Sequence, residues 1–194
     1  MQISINSTQI EHLTTLLKEK AFVLYDTLVE YGHDETEDLS YPPAIVLKPT
    51  SVSEISEIMR YCHAEKIPVT PAGARTGLSG GSLPIHGGVL LSMEKFNKIL
   101  KIDEKNHQVI TEPGVITQVL QDAVKEKGLF YPPDPASKGS CFIGGNVSEN
   151  SGGPKAVKYG VTKDYVLNLE VVLPTGEVIW TGANVLKNAT GYNL

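Results

Sequence analysis

The chain is poor in cysteine, in net positive charge and in long apolar runs, and each shortage removes a class of function. Of its 194 residues only two are cysteines, Cys62 and Cys141, too few and too far apart for a disulfide framework or a zinc site. Both read as reduced thiols of an intracellular protein. The balance of 17 Lys and Arg against 22 Asp and Glu gives a net charge of −5. That disfavours a nucleic-acid partner, whose phosphates need a basic surface. Residues 1–20 carry polar groups throughout, so they are neither a signal peptide nor a membrane span. No Gly-x-Gly pair occurs, so the Rossmann dinucleotide fingerprint is missing. The five histidines, His12, His33, His63, His86 and His107, show no metal-ligand spacing, and no metal site is assigned.

Glycine is what the chain has in unusual concentration. Of 18 glycines, six fall between Gly73 and Gly88 and six between Gly139 and Gly160. The first window, Pro71-Ala-Gly-Ala-Arg-Thr-Gly-Leu-Ser-Gly-Gly-Ser82, follows a short apolar run, Ile67 to Val69. Glycines this dense let the backbone turn with positive φ and approach a ligand without a Cβ in the way. Successive exposed N–H groups in such a turn form a concave anion site, suited to a phosphate or diphosphate. The loop lacks the Gly-Lys-Ser/Thr ending of a P-loop. Gly77-Leu-Ser79-Gly-Gly81 matches the hydrolase elbow Gly-x-Ser-x-Gly, but that elbow leads straight into a helix, and here Pro84 and Gly87-Gly88 follow. In the second window Cys141 has no evident histidine partner, so it reads as a small buried thiol rather than a nucleophile. Two separated backbone-approach regions suggest one extended ligand held between them.

The pattern of apolar residues places these windows in an α+β chain. Thr8 with Glu11 predicts a capping box opening an amphipathic helix over 8–20, with Ile10, Leu13, Leu16 and Leu17 on one face. Residues 31–43 read as an acidic approach segment. Ala44 to Lys48, Ile67 to Thr70 and Val89 to Ser92 read as strands. Between the first two, Ser51 and Glu54 open a helix with the stripe Val52, Ile55, Met59 and Cys62, stopped by Pro68. This order implies a small parallel unit. Gln108 to Glu112 reads as a strand, and Ile116, Val119, Leu120, Ala123 and Val124 as a helix stopping at Gly128. Residues 131–163 show no period, and long ordered loops of this kind are usually functional. Pro174-Thr175-Gly176 marks a hairpin between 166–173 and 177–180. The run from Val185 to Leu194 ends without helix stop or strand partner and reads as a chain cut in mid-fold. The expected organisation is an N-terminal helix and approach segment, 1–39, then a domain over 40–194 with lobes at about 40–102 and 103–194.

Several motifs occur in order: Gly-Ala-Arg-Thr-Gly-Leu-Ser-Gly-Gly, Tyr-Pro-Pro-Asp-Pro, Ile-Gly-Gly-Asn, Glu-Asn-Ser-Gly-Gly-Pro, Lys-Tyr-Gly and Val-Leu-Asn-Leu-Glu-Val-Val-Leu-Pro-Thr-Gly-Glu. Together, over about residues 30–194, they resemble the FAD-binding domain of the FAD-linked oxidases, the p-cresol methylhydroxylase and vanillyl-alcohol oxidase type. The likeness is strongest to the D-lactate dehydrogenase, D-2-hydroxyglutarate dehydrogenase and glycolate oxidase branch. It implies non-covalent FAD, with the diphosphate on the stretch from Pro71 and Gly73 through Ala74, Arg75, Thr76, Gly77, Leu78 and Ser79 to Gly80. Pro133, Asp134, Ser137, Cys141, Ile143, Gly144, Gly145 and Asn146 would lie along the ring and ribityl chain, the Ile143–Asn146 stretch as flat backbone. Asn150, Gly152, Gly153, Gly160 and Val161 would complete the trough. Arg75 stands where relatives often carry glycine, and Phe142 where threonine is common.

The resemblance further implies oxidation of a 2-hydroxy acid, with catalytic base and metal-ligand histidines in a part beyond this chain. It implies an electron-acceptor protein or a quinone to reoxidise the flavin. It suggests a cytoplasmic protein, leaving open a place at the inner membrane face and pairing as a homodimer. The alternatives are a reductase of the enolpyruvyl-sugar type and a non-catalytic nucleotide-binding fragment.

Overall fold

The computed structural model describes residues 5–185. The first helix, α1 (Ser7–Leu17), starts one residue before the expected cap. Asn6 Oδ1 accepts the Gln9 N–H at 2.9 Å and Gln9 Oε1 accepts the Asn6 N–H at 3.1 Å. Asparagine caps as well as threonine, and Asn6/Gln9 is a complete capping box, so Thr8 and Glu11 fall inside the helix. A 3-10 turn then replaces α-helix over Lys18–Lys20.

Strand β1 (Ala21–Phe22) and helix α2 (Tyr25–Tyr31) follow, both unexpected. Next come β2 (Ile45–Leu47), α3 (Val52–Glu65), β3 (Val69–Ala72) and β4 (Val89–Ser92). They form a sheet of order β1-β2-β4-β3, with β2, β4 and β3 parallel and β1 antiparallel on the β2 edge. β2 and β4 are buried on both faces, which is why both read as unbroken apolar runs. Alternation then assigns the faces. Ile45, Leu47, Val89 and Leu91 meet Leu13 and Leu17 of α1 and Ile58 and Cys62 of α3. Val46, Leu90 and Ala72 meet Tyr31 on the other side. Each such aliphatic side chain stabilises the fold by about 2 kcal/mol relative to exposure. The expected α3 stripe omitted Ile58, which is fully buried, whereas Ile55 and Met59 are half-buried. Because α1 fills this core and β1 joins the sheet, residues 7–31 are integral to the unit rather than a separate approach.

The chain then crosses to a second core. Strands β5 (Ile99–Asp103) and β6 (Gln108–Thr111) pair antiparallel. Their Ile99, Ile102 and Val109 pack with Val115, Leu120 and Val124, the last two on α4 (Thr117–Lys125), and with Ile143. The division expected at 102/103 therefore falls inside β5, whose apolar residues already belong to the second core. Residues 131–163 are not wholly irregular: they contain α5 (Ile143–Glu149) and α6 (Ala156–Tyr159). A hairpin of β7 (Glu170–Val172) and β8 (Val178–Trp180) comes last, as its turn predicts, and Ser56 Oγ on α3 donates to the Gly176 carbonyl at its tip. Apart from Val185 itself, the expected open run to Leu194 lies outside the described residues. Among the described residues no helix is long and apolar enough to cross a membrane.

Candidate functional site

The loop between β3 and β4 carries the first glycine window, and it leaves the sheet at Gly73 directly against the second. A Cβ added at Gly73 would sit 3.8 Å from both the N and Cα of Gly145 and 3.9 Å from Phe142 Cβ. A Cβ at Gly81 would sit 3.1 Å from Glu149 Oε1. The two windows, about seventy residues apart in sequence, thus share one wall. The sequence argument required this.

Within the first window the backbone is left largely unspent. Among the described residues, the amides of Arg75, Thr76, Gly77, Leu78, Ser79 and Gly81 donate to no protein acceptor. Gly77, Leu78 and Ser79 are exposed, and a Cβ at Gly77 would meet nothing within 4 Å. Pro71, the last exposed residue of β3, and half-buried Ala74 flank this stretch. One expected donor is lost: the Gly80 N–H, at φ +72, donates to Thr36 Oγ1 at 2.9 Å. The acidic segment, read in sequence as an approach to the first strand, ties down the loop there, and the Glu35 N–H adds a bond to the Gly77 carbonyl at 3.2 Å. Arg75 has left-handed backbone, φ +58. Its guanidinium carbon lies 4.0 Å from the Tyr31 ring centroid. Its Nη2 lies 3.8 Å from Glu30 Oε1. The arginine side chain is thus folded back on α2.

The second window is built differently. Ile143–Asn146 is not flat backbone but the first turn of α5, and most of its polar groups are used internally. The Ile143 N–H donates to Val115 O at 2.9 Å, that of Gly144 to Pro113 O at 2.8 Å, and that of Asn146 to Phe142 O at 3.0 Å. The Asn146 side chain, 2% exposed, donates from Nδ2 to Thr117 Oγ1 at 2.6 Å. Thr117 Oγ1 also lies 3.2 Å from Cys141 Sγ, so Cys141 is a buried partner of this cluster. Gly145 is the exception. Among the described residues its N–H has no acceptor, and a Cβ there would meet nothing within 4 Å.

Around it, Asp134 donates its N–H to Gly152 O at 3.1 Å and pairs with Lys155 Nζ at 3.1 Å, while its buried Oδ1 has no donor among the described residues. Gly153, at φ +116, lies so close that a Cβ would overlap the Asp134 carbonyl oxygen. The Pro133 carbonyl accepts from Gln121 Nε2 at 2.8 Å, and that of Ser137 accepts the Cys141 N–H at 2.7 Å. Asn150 ends α5 in left-handed conformation, and its Oδ1 accepts the Lys163 N–H at 3.0 Å. Val161 donates its N–H to Asp164 Oδ2 at 2.8 Å, next to Gly160 at φ +85. Gly152 packs on Val161, so residues 133–134, 152–153 and 160–161 form one contiguous patch. Pattern reasoning missed Tyr31, Thr36 and Thr117. Only Thr117, a hydroxyl set within an apolar stripe, left a signal in the sequence.

Free amides on one window and an open glycine face on the adjoining one suit a ligand approached by backbone. Comparison with known proteins decides its class. The FAD binding domain family matches residues 43–182. The chain belongs to that family. It is 46% identical over 164 residues to a glycolate oxidase subunit GlcD of Bacillus subtilis (strain 168), covering 84% of this chain and 35% of that protein. It is 41% identical to a D-lactate dehydrogenase of Anaerostipes hadrus, covering 98% and 40%. Against a D-2-hydroxyglutarate dehydrogenase of Stutzerimonas stutzeri (strain A1501) it is 38% identical, covering 95% and 40%. The chain therefore spans well under half the length of the curated relatives it matches. Among solved structures, p-cresol methylhydroxylase with substrate bound superposes with TM-score 0.76 at 26% identity, over 93% of this chain and 36% of that one. Alkyldihydroxyacetonephosphate synthase reaches 0.83 at 18% identity, over 95% and 40%, which speaks for the fold alone. The fold is the FAD-binding domain of the p-cresol methylhydroxylase type, and FAD is its cofactor.

Proposed function

We propose that the chain is the FAD-holding part of a flavoenzyme that oxidises a 2-hydroxy acid of the D-lactate, glycolate or D-2-hydroxyglutarate kind to the 2-oxo acid. One observation carries the structural side of this reading: Gly73 lies against Gly145, so the two side-chain-poor windows adjoin. The residues fit the cofactor. A diphosphate needs donors without bulk, and the amides of Arg75 to Ser79 are free and exposed enough to supply them. With a net charge of −5, backbone dipoles rather than a basic patch serve the anion. Gly145 offers a bare N–H beside open space for a planar ring, and the unpaired Asp134 Oδ1 is an acceptor awaiting a donor. Asn150, Gly152, Gly153, Gly160 and Val161 would complete the trough, the last two towards the adenosine end.

When bound, the flavin supplies a hydride acceptor for the substrate carbon. The chain's own work is to hold that ring at a fixed angle and keep solvent from its buried face. We place the base that takes the hydroxyl proton outside residues 1–194, together with the carboxylate clamp. The reoxidising partner is proposed to be an electron-acceptor protein or a quinone. We also propose two lobes, meeting just before β5 and contributing one glycine window each.

The test is an absorption spectrum of the purified chain after incubation with FAD and removal of excess ligand. Retained flavin bands, with no reduction on adding D-lactate, glycolate or D-2-hydroxyglutarate, are the expected result. A colourless protein sinks the reading in favour of a non-catalytic fragment. Bleaching by NADPH but not by any hydroxy acid would point to a reductase.

A further inference from the structure

Arg75 holds a backbone conformation that suits glycine, φ +58, at the point where the free amides begin. For a residue with a Cβ this conformation is costly and persists only where surrounding structure enforces it. The enforcing contact is visible. Tyr31, the last residue of α2, is 4% exposed and presents its ring to the Arg75 guanidinium at 4.0 Å. The ring is itself fixed. Its hydroxyl donates to Glu94 Oε2, Glu94 Oε1 pairs with Lys48 Nζ at 3.0 Å, and Lys48 Nζ lies 4.7 Å from the Tyr31 centroid. Tyr31 also packs on Val46 and Leu90 of the sheet. A chain of contacts thus runs from the sheet core through Tyr31 to the loop, and Tyr31 lies before the matched family region, 43–182.

We propose that Tyr31 is a positioning residue for the cofactor loop: its ring clamps the Arg75 side chain and so maintains the left-handed turn that presents the amides of residues 76–79. Arg75 then acts through its stack on Tyr31, and its guanidinium does not contact the diphosphate. The role in binding rests on the FAD reading above; the clamp itself does not.

Arg60 and Arg75 are the only arginines in the chain, which gives a cofactor-free test. An arginine-specific protease applied to the 194-residue chain must pull Arg75 off Tyr31 to cut there. Cutting at Arg60, inside α3, reports unfolding of the whole unit. In Tyr31→Leu, cutting after Arg75 is expected to accelerate about tenfold with the Arg60 rate unchanged, whereas Tyr31→Phe keeps the stack and the slow rate. Equal Arg75 rates in wild type and Tyr31→Leu overturn the clamp. Should Tyr31→Leu unfold and expose both sites, the Arg75 substitutions decide. FAD titration is expected to show Arg75→Leu binding about tenfold more weakly than wild type, and Arg75→Gly recovering most of that loss, since glycine adopts the turn unaided. Equal loss in both means that the guanidinium touches the ligand, and no loss in Arg75→Leu means that the turn needs no clamp; either overturns the proposal. A wild-type chain that binds no FAD refutes the functional reading, and the protease rates still decide the clamp.

Discussion

The two glycine windows look alike in sequence and do opposite things with their backbone. In the loop after β3, the amides of residues 75–79 have no acceptor among the described residues, and that of Gly80 is taken by Thr36. In the window around α5, the amides of Ile143, Gly144 and Asn146 are consumed by the fold, and several glycines are there because their neighbours leave no room. Glycine count therefore marks where a backbone can be approached closely, but by the protein itself as readily as by a ligand. What separates the two cases is whether an acceptor or a wall already occupies the space.

That contrast can be broken by substitution. The largest effect is expected at Gly153, where alanine would press its Cβ into the Asp134 carbonyl and hold an unfavourable φ of +116. Gly153→Ala should lose about 3 kcal/mol in a denaturant titration. A wild-type midpoint would mean that the packing there is slack.

Thr117→Val comes next. It strips the acceptor from the buried Asn146 amide and should cost about 2 kcal/mol.

Gly145→Ala sharpens the comparison further, because a methyl there meets nothing and alanine is the better helix former. Stability should hold or rise slightly while FAD affinity falls about tenfold, a loss of about 1.4 kcal/mol. Unchanged affinity would remove Gly145 from the cofactor surface.

The ion pair behind Tyr31 gives a smaller, pH-dependent signal. Burial works against the charge on Glu94, but the Tyr31 hydroxyl and Lys48 outweigh it and hold its carboxyl below the usual 4.5. Its contribution to stability is thus complete above that value and disappears as pH falls through the lowered one. Wild type should lose stability more steeply below pH 4.5 than Glu94→Gln, read from thermal midpoints across the acid range. Lys48 is also desolvated, yet Tyr31 and Glu94 raise its pKa above 10.5, so its share persists at neutral pH and declines only as pH rises through the raised value. Last, burial pushes the Cys62 thiol up to about 12, so the native chain should leave Cys62 unmodified by a thiol reagent at pH 7.

The sequence made the elements of the sheet legible because period and punctuation agree there: Ser51 caps α3, Pro68 follows its end, and β2 and β4 are apolar on both faces. It hid α5, since Gly-Gly-Asn is a poor helix former and the helix exists through contacts with Pro113 and Thr117, which no local window contains. The meeting of the two windows followed from glycine density. Which amides stay free did not, because that depends on acceptors such as Thr36 Oγ1, 44 residues from the donor it satisfies. Tyr31 was hidden for the same reason. It reads as one aromatic beside an acidic stretch until the fold brings Arg75 over its ring.

The strand order carries a consequence for how this protein is made. β4 lies between β2 and β3, although synthesis delivers β2 and β3 first. Until residue 92 has emerged, β2 and β3 wait without the strand that pairs with both. The loop that precedes that strand is the segment we propose for the cofactor. Assembly of the sheet and shaping of that loop are therefore a single late event, and a defect in loop closure should surface first as poor yield, before any ligand is offered.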